Sequence, residues 1–309
     1  MSDKTTTKNE EAVVKSTRSV SLLKDQHVRR IIGDTFSHIF LIVLSIIWLI
    51  PIAWVVMESF NKEPGPFQST FFPREYSLDN YIKLFTDTGE INFPRMFLNT
   101  LIVSIFVCII SLFFVLAVSF CMSRLRFKGR KTFMNIALIL GMFPGIMAVI
   151  AIYFILKVLG LTKPSFILIA LIIVYSAGSG AGFYIMKGYM DTIPKSLDEA
   201  AYLDGCTKWQ VFWKIIVPIC KPMIVFQAIT SFLGPWLDFV MVQTIARDNT
   251  ESYTVAYGLM QMIRPLTKFP QHWYAAFAAG AVCISIPISI LFIVMQRFYE
   301  ESMSGSVKG

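Results

Sequence analysis

The sequence predicts an all-α integral membrane protein with six spanning helices, and three observations predict it. Six apolar blocks, at 36–57, 97–122, 133–156, 165–186, 223–245 and 274–296, each reach spanning length. A hydrocarbon core about 30 Å thick needs roughly 20 helical residues. All 28 Lys and Arg lie outside these blocks, and of the 20 acidic residues only Asp238 lies inside one. A basic residue at a helix centre costs about 2.5–3.5 kcal/mol, so lipid excludes it. Runs such as Leu101-Ile102-Val103-Ser104-Ile105-Phe106 also lack the polar face that a long helix of a soluble protein shows. With 55% hydrophobic and only 16% charged residues, a disordered, collagen-like or disulfide-stapled chain is excluded.

The first element is a charged leader, 1–35, rich in Lys, Thr, Ser and Glu up to about Asp25. It reads as disordered and as a solvated topological anchor. The apolar block behind it is too long for the core of a cleavable signal peptide. The leader carries seven basic residues, loop two carries five (Arg124 to Lys131), loop four five and the carboxyl tail two, which places 19 on one side against 9 on the other. The positive-inside rule then puts both termini and loops two and four in the cytoplasm. The excess of +8 is therefore an orientation signal, and nucleic-acid binding is set aside. The organisation that follows is a leader (1–35), a six-helix permease domain (36–296) and a cytoplasmic tail (297–309).

Within the spans, Gly141 and Pro144-Gly145 predict a kink in the third. Small residues from Ala177 to Gly182 in the fourth suit close helix packing or a flexible gate. Asp238 in the fifth, with Trp236 nearby, either lines a solute path or serves as a structural carboxylate. Cysteines 108, 121, 206, 220 and 283 show no pairing pattern and read as small core residues. No phosphate-cradling G-x-x-x-x-G-K-[ST], G-x-S-x-G or H-E-x-x-H occurs, and the three histidines lack ligand-spaced partners. Neither a nucleotide site nor a metal site is expected on this chain.

Loop four, 187–221, carries the most information. Ser196-Leu197-Asp198-Glu199 fits a capping box opening a short helix, and Gly205 sits where a left-handed terminator is wanted. Thr207-Lys208-Trp209-Gln210 fits a second box. Trp209, Phe212, Trp213 and Ile216 then form one apolar stripe, which Pro218 and Pro222 close. Two short helices jointed at a glycine are marginal alone and need a partner surface; the bilayer interface or the chain's own bundle are the plainer partners.

These residues resemble a known signature. Glu199-Ala200-Ala201, then Asp204-Gly205, nine residues and Ile215-x-Val217-Pro218 are similar to the E-A-A-x-x-x-G-x9-I-x-L-P motif of ABC importer permease subunits, with Val217 for the usual Leu. Ser123 to Arg130, Phe143-Pro144, Lys187-Gly188-Tyr189, Arg247-Asp248, Ser252-Tyr253-Thr254 and the terminal Gly305 to Gly309 resemble the sugar permeases of the maltose/maltodextrin type. The resemblance runs from about residue 95 to the end.

It implies a type I, MetI-like fold in a bacterial plasma membrane. It also implies an oligosaccharide substrate, a second permease subunit (MalF-like), two copies of a cytoplasmic ABC ATPase and an extracellular sugar-binding protein. ATP and magnesium would bind those ATPases. The loop-four helix would be the joint that couples ATPase closure to alternating access, through Glu199, Ala200, Ala201, Asp204, Gly205, Ile215 and Pro218. Ser306, Val307 and Lys308 would reach the ATPase interface. The fifth loop, 246–273, would enter the binding-protein cleft. Another solute (a different oligosaccharide, a polyol or glycerol phosphate) or a stand-alone secondary transporter are the alternatives.

Overall fold

The computed structural model describes residues 31, 33–62, 71–89, 91–142, 145–178, 180–263 and 273–306. Among them the regular structure is helical, apart from one isolated antiparallel bridge between Asn61 and Tyr76. The chain divides at Val55–Val56 into two compact units. The first holds most of helix α1 (Gly33–Ser59), whose apolar side chains from Phe36 to Trp54 are exposed, as a helix bathed in lipid requires.

The second unit is built around α3 (Phe93–Arg124). Asn92 caps it by accepting from the Arg95 N–H at 3.1 Å, and Pro94 occupies its first turn. Around α3 pack α6 (Ile167–Ala177), α7 (Gly180–Thr192), α11 (Lys221–Leu237) and α13 (Val255–Ile263). The face it turns inward carries Thr100, Val103, Ser104, Val107, Ser111, Val115 and Ser119, while Phe106, Ile109, Phe113 and Phe114 point out. The helical period is thus present as side-chain size rather than hydropathy. Small residues let backbones approach, and bulky ones meet lipid.

Four described helices are long and apolar enough to cross a membrane, and six spans result if each of two bent pairs counts as one. The expected third span is α4 (Arg130–Gly141) and α5 (Gly145–Val158), set at 103° to one another. The kink expected at Gly141 and Pro144-Gly145 is a sharp elbow, and Phe143 and Pro144 lie outside the described residues. The fourth span, Pro164–Thr192, is one of the four and comprises α6 and α7, with a turn at Gly178 after α6. The fifth is not one helix over 223–245. Instead α11 ends at Leu237 and α12 (Val240–Ala246) starts afresh. Pro235 sits in the last turn of α11, and the Asp238 carboxylate accepts from the N–H groups of Val240 (2.8 Å) and Met241 (3.2 Å), capping α12.

Two apolar cores form towards opposite ends of α3, a helix about 48 Å long at 1.5 Å per residue. One gathers Phe93, Val103, Leu171, Trp236, Tyr257 and Trp273. Here α2 (Asp79–Thr86) packs on α14 (Tyr274–Ser306), and α13 packs on both α3 and α14. The other gathers Leu116, Phe120, Met186, Met190, Phe212 and Ile216.

Candidate functional site

The second core is roofed by loop four. Helix α8 (Ser196–Leu203) begins one residue earlier than the S-x-x-E pattern implies. Lys195 already has helical dihedrals, the Pro194 carbonyl accepts from Leu197 and the Lys195 carbonyl from Glu199. Pro194 pre-sets the helical turn, so Ser196 lies inside the helix and the expected box on Ser196 does not form.

The helix is anchored by Asp198 instead. Its carboxylate lies 2.9 Å from the Arg124 Nε at the end of α3, with side-chain exposures of 9% and 3%. Arg124 also donates to the Ile193 carbonyl at 3.0 Å. Burial pushes the Asp198 carboxyl above the usual carboxylate range, and the Arg124 guanidinium offsets this only in part. Beside it, Ser123 donates to Asp191 at 2.6 Å, and Lys187 bridges to the same carboxylate. This polar clamp ties α3, α7 and α8 together.

The end of α8 follows the expected terminator. The Cys206 N–H donates to the Ala201 carbonyl (2.9 Å) and the Gly205 N–H to the Tyr202 carbonyl (3.1 Å), with Gly205 at φ +81°. This is a Schellman closure, which needs a left-handed residue there. The second capping box is present: Thr207 and Gln210 bond reciprocally and open α9 (Lys208–Val211).

The apolar stripe after it divides. A wide π turn, Phe212–Ile216, precedes α10 (Val217–Ile219). Pro218 offers no N–H, and its ring would press on the Lys214 carbonyl of a regular helix. Phe212 and Ile216 point into the core, whereas Trp209 and Trp213 remain exposed at 63% and 42%.

Of the residues expected at the joint, Ala201 is buried against this core and Ile215 is half-buried. Glu199, Ala200, Asp204, Gly205 and Pro218 are exposed. Leu203 is 90% exposed. The elbow thus has an inner face locked to the core and an outer face that shows Leu203, Trp209 and Trp213 together with Glu199 and Asp204. Of the expected tail contacts, Ser306 ends α14, and Val307 and Lys308 lie outside the described residues.

The expected solute-path pair is not brought to a common surface. Trp236 is 1% exposed and wedged between Phe97 and Phe232. Asp238 is taken up by its cap. A cleft of about 290 Å³ opens nearby, between α3, α6, α7 and α11. Its polar lining is Ser111, Tyr175, Gln227, Thr230 and Ser231, none of which was expected. The Gln227 amide donates to Ser231 at 2.8 Å and lies directly over Gly182, where an added Cβ would meet the Gln227 Oε1 at 2.4 Å. The signal was available in the sequence as uncharged polar residues at helical spacing, Ser104/Ser111 and Gln227/Ser231, inside apolar blocks.

The fifth loop is stapled rather than free at its start. Asn99 donates to the Glu251 and Tyr253 carbonyls (2.8 and 3.0 Å), and the Val255 N–H donates to the Thr100 hydroxyl at 2.8 Å. Residues 264–272 of this loop lie outside the described residues.

Residues 114–305 match the model of the family described as binding-protein-dependent transport system inner membrane component. The chain is 35% identical over 290 residues to the galactooligosaccharides transport system permease protein GanQ of Bacillus subtilis (strain 168), covering 93% of this chain and all of that one. It is 30% identical over 281 residues to the maltodextrin transport system permease protein MdxG of the same organism (91% and 98% covered). Against the maltose/maltodextrin permease MalG of Vibrio vulnificus (strain YJ016), identity is 36% over 196 residues, or 62% and 64% of the two chains. Among solved structures, a chain of a bacterial ABC transporter involved in import of the acidic polysaccharide alginate shares the fold. There the TM-score is 0.71 at 20% identity, with 87% of this chain and 97% of that one covered.

Proposed function

This chain belongs to the family of inner membrane components of binding-protein-dependent transport systems, and on that premise we propose that it forms one half of the pore of an ATP-driven oligosaccharide importer. A second permease subunit completes the pore, two ABC ATPases seat on its loops, and an extracellular sugar-binding protein delivers the solute. ATP and magnesium reside on the ATPases, and this chain holds neither. The chain lies in a bacterial inner membrane with both termini cytoplasmic. Residues 36–296 form the permease domain, with the leader (1–35) and tail (297–309) on the ATPase side and Ser306, Val307 and Lys308 touching the ATPases.

The observation that carries this reading is the loop-four elbow. A helix pair whose inner face is fixed by Arg124–Asp198 and whose outer face shows Leu203, Trp209 and Trp213 transmits force well. The buried clamp resists slippage, and the exposed apolar residues give a partner something to grip. Closing of the ATPase dimer then drags α8 and, through α3 and α7, the bundle. Glu199, Ala200, Asp204 and Pro218 lie on the exposed side of this joint, while Ala201 and, in part, Ile215 shape its inner wall. The relatives named for galactooligosaccharide and maltodextrin transport support a sugar as the cargo, and a neutral oligosaccharide fits them best.

Gly205 provides the test. At φ +81° with nothing within 4 Å of an added Cβ, a β-branched side chain is opposed by backbone conformation alone. Gly205→Val in the reconstituted complex is expected to cut uptake of binding-protein-delivered sugar at least ten-fold while ATP hydrolysis persists. Wild-type uptake by that variant would remove the elbow from the mechanism. A complex that purifies without an ATPase or a second permease would remove the importer reading itself.

A further inference from the structure

The cleft between α3, α6, α7 and α11 has features that helix packing does not require. Its volume of about 290 Å³ sits at the low end of ligand-site volumes, roughly 300–1,000 Å³. Among its lining residues there is no Lys, Arg, Asp or Glu, only one amide, several hydroxyls and apolar groups. Ser111 is 1% exposed and its Oγ has no hydrogen-bond partner. A serine in a helix ordinarily satisfies itself on a carbonyl one turn back, so a buried hydroxyl held at the cleft wall without a partner is costly.

Gln227 is also buried, and Gly182 leaves the space its amide occupies. Thr230 stands on the same wall with its side chain exposed to the opening. Amides and hydroxyls both donate and accept, and they do not change charge with pH. That set suits a ligand bearing many neutral hydroxyls and offers nothing to balance a carboxylate.

We propose that this cleft is a subsite on this chain for one ring of a neutral oligosaccharide in transit, with the Gln227 amide and the Ser111 and Thr230 hydroxyls exchanging hydrogen bonds with its hydroxyls. The inference rests on the importer reading and deepens it. This chain holds the cargo directly, and the pore selects neutral rings over acidic ones at this point. Gly182 is the permissive element, because a larger residue there would displace the amide from the cleft.

The test uses the complete transporter in nanodiscs without its extracellular binding protein. Binding of labelled maltotriose, a β-galactotriose and an alginate trisaccharide is measured for wild type, Gln227→Leu and Thr230→Val. Wild type is expected to bind at least one neutral trisaccharide and to bind the acidic one at least ten-fold more weakly. Gln227→Leu should weaken the neutral sugar about ten-fold or more, and Thr230→Val about three-fold, as loss of one hydrogen-bond partner implies.

Thr230→Val is isosteric at an exposed position, so it reports on the cleft even if Gln227→Leu fails to assemble. Unchanged binding in Thr230→Val and in any assembled Gln227→Leu overturns the subsite and leaves the importer reading standing. Equal affinity for the acidic sugar overturns its selectivity. A wild-type complex that imports none of the three sugars with any binding protein sinks the importer reading and this one together.

Discussion

The two cores at opposite ends of α3 are built by different rules. The loops over the Trp236–Trp273 core are pinned by neutral hydrogen bonds, with the Lys83 ammonium 4.2 Å over the Trp273 ring. Asn80 donates to the Ser59 and Asn61 carbonyls, Asn99 to the Glu251 and Tyr253 carbonyls, and Thr100 accepts from the Val255 amide. Its salt bridge, Arg95–Glu251, lies on the exposed rim. The Met190–Phe212 core instead has a charge pair at its heart, Arg124–Asp198, and leaves the Asp198 Oδ1 and the Arg124 Nη1 without hydrogen-bond partners. Neutral hydrogen bonds satisfy a loop where it lies, while an incompletely satisfied buried ion pair is strong only in one geometry. The first core is a scaffold that pins loops; the second is a joint that fixes one helix against the bundle and displays its other side.

Breaking the ion pair should give the largest effect and the sharpest contrast. Arg124→Leu or Asp198→Leu alone leaves an uncompensated buried charge, a loss of about 3–5 kcal/mol. Both should lower the thermal midpoint of the purified complex and its abundance. The double variant should recover much of that stability, because two apolar side chains replace a costly pair, yet uptake should stay low because the clamp on α8 is gone. If the double variant transports like wild type, the pair is packing and not a positioning device. If the double variant is no more stable than either single one, the charges are not energetically coupled.

The scaffold predicts a smaller, differently shaped loss. Asn99→Leu removes the amide shared by the Glu251 and Tyr253 carbonyls, and stranding them costs about 1–3 kcal/mol. Uptake and ATP hydrolysis should fall together, in proportion to the amount of folded complex. Loss of coupling at full abundance would place Asn99 in the joint class and erase the distinction.

What the sequence reveals follows the same division. The spans, the left-handed Gly205 and the Thr207–Gln210 box were legible, because lipid exclusion and helix caps are decided by neighbours within a turn or two. The Ser196 box failed on a local competitor, since Pro194 starts the helix first. In the sequence Arg124 is one of five basic residues of loop two and Asp198 an inner position of the Ser196–Glu199 pattern. Nothing near either residue announces a partner on another helix. The break at Asp238 was hidden because a carboxylate in an apolar run suggests a ligand before it suggests a cap. The cleft showed only through its small residues, Gly178 and Gly182; its polar lining stayed hidden because Ser111 and Gln227 are neutral, and single hydroxyls or amides in an apolar run pass for ordinary helix packing.

The mildest perturbation tests the outer side of the joint. Leu203 and Trp209 are exposed and contribute little to this chain's own core, so Leu203→Glu or Trp209→Glu should change its stability by no more than about 0.5 kcal/mol. A partner that buries an apolar side chain here must instead desolvate a carboxylate, which is far costlier. Each variant should therefore fold and reach the membrane as wild type does, yet lose most of its co-purifying ATPase. A matched pair on the scaffold, Ile82→Glu and Phe85→Glu on exposed positions of α2, should leave that association intact. Equal loss from both pairs would mean that exposed apolar residues on this chain serve solubility in lipid generally, and the elbow would have no special claim to a partner. Loss from the elbow pair alone makes its outer face an interface and leaves the scaffold end with a different task.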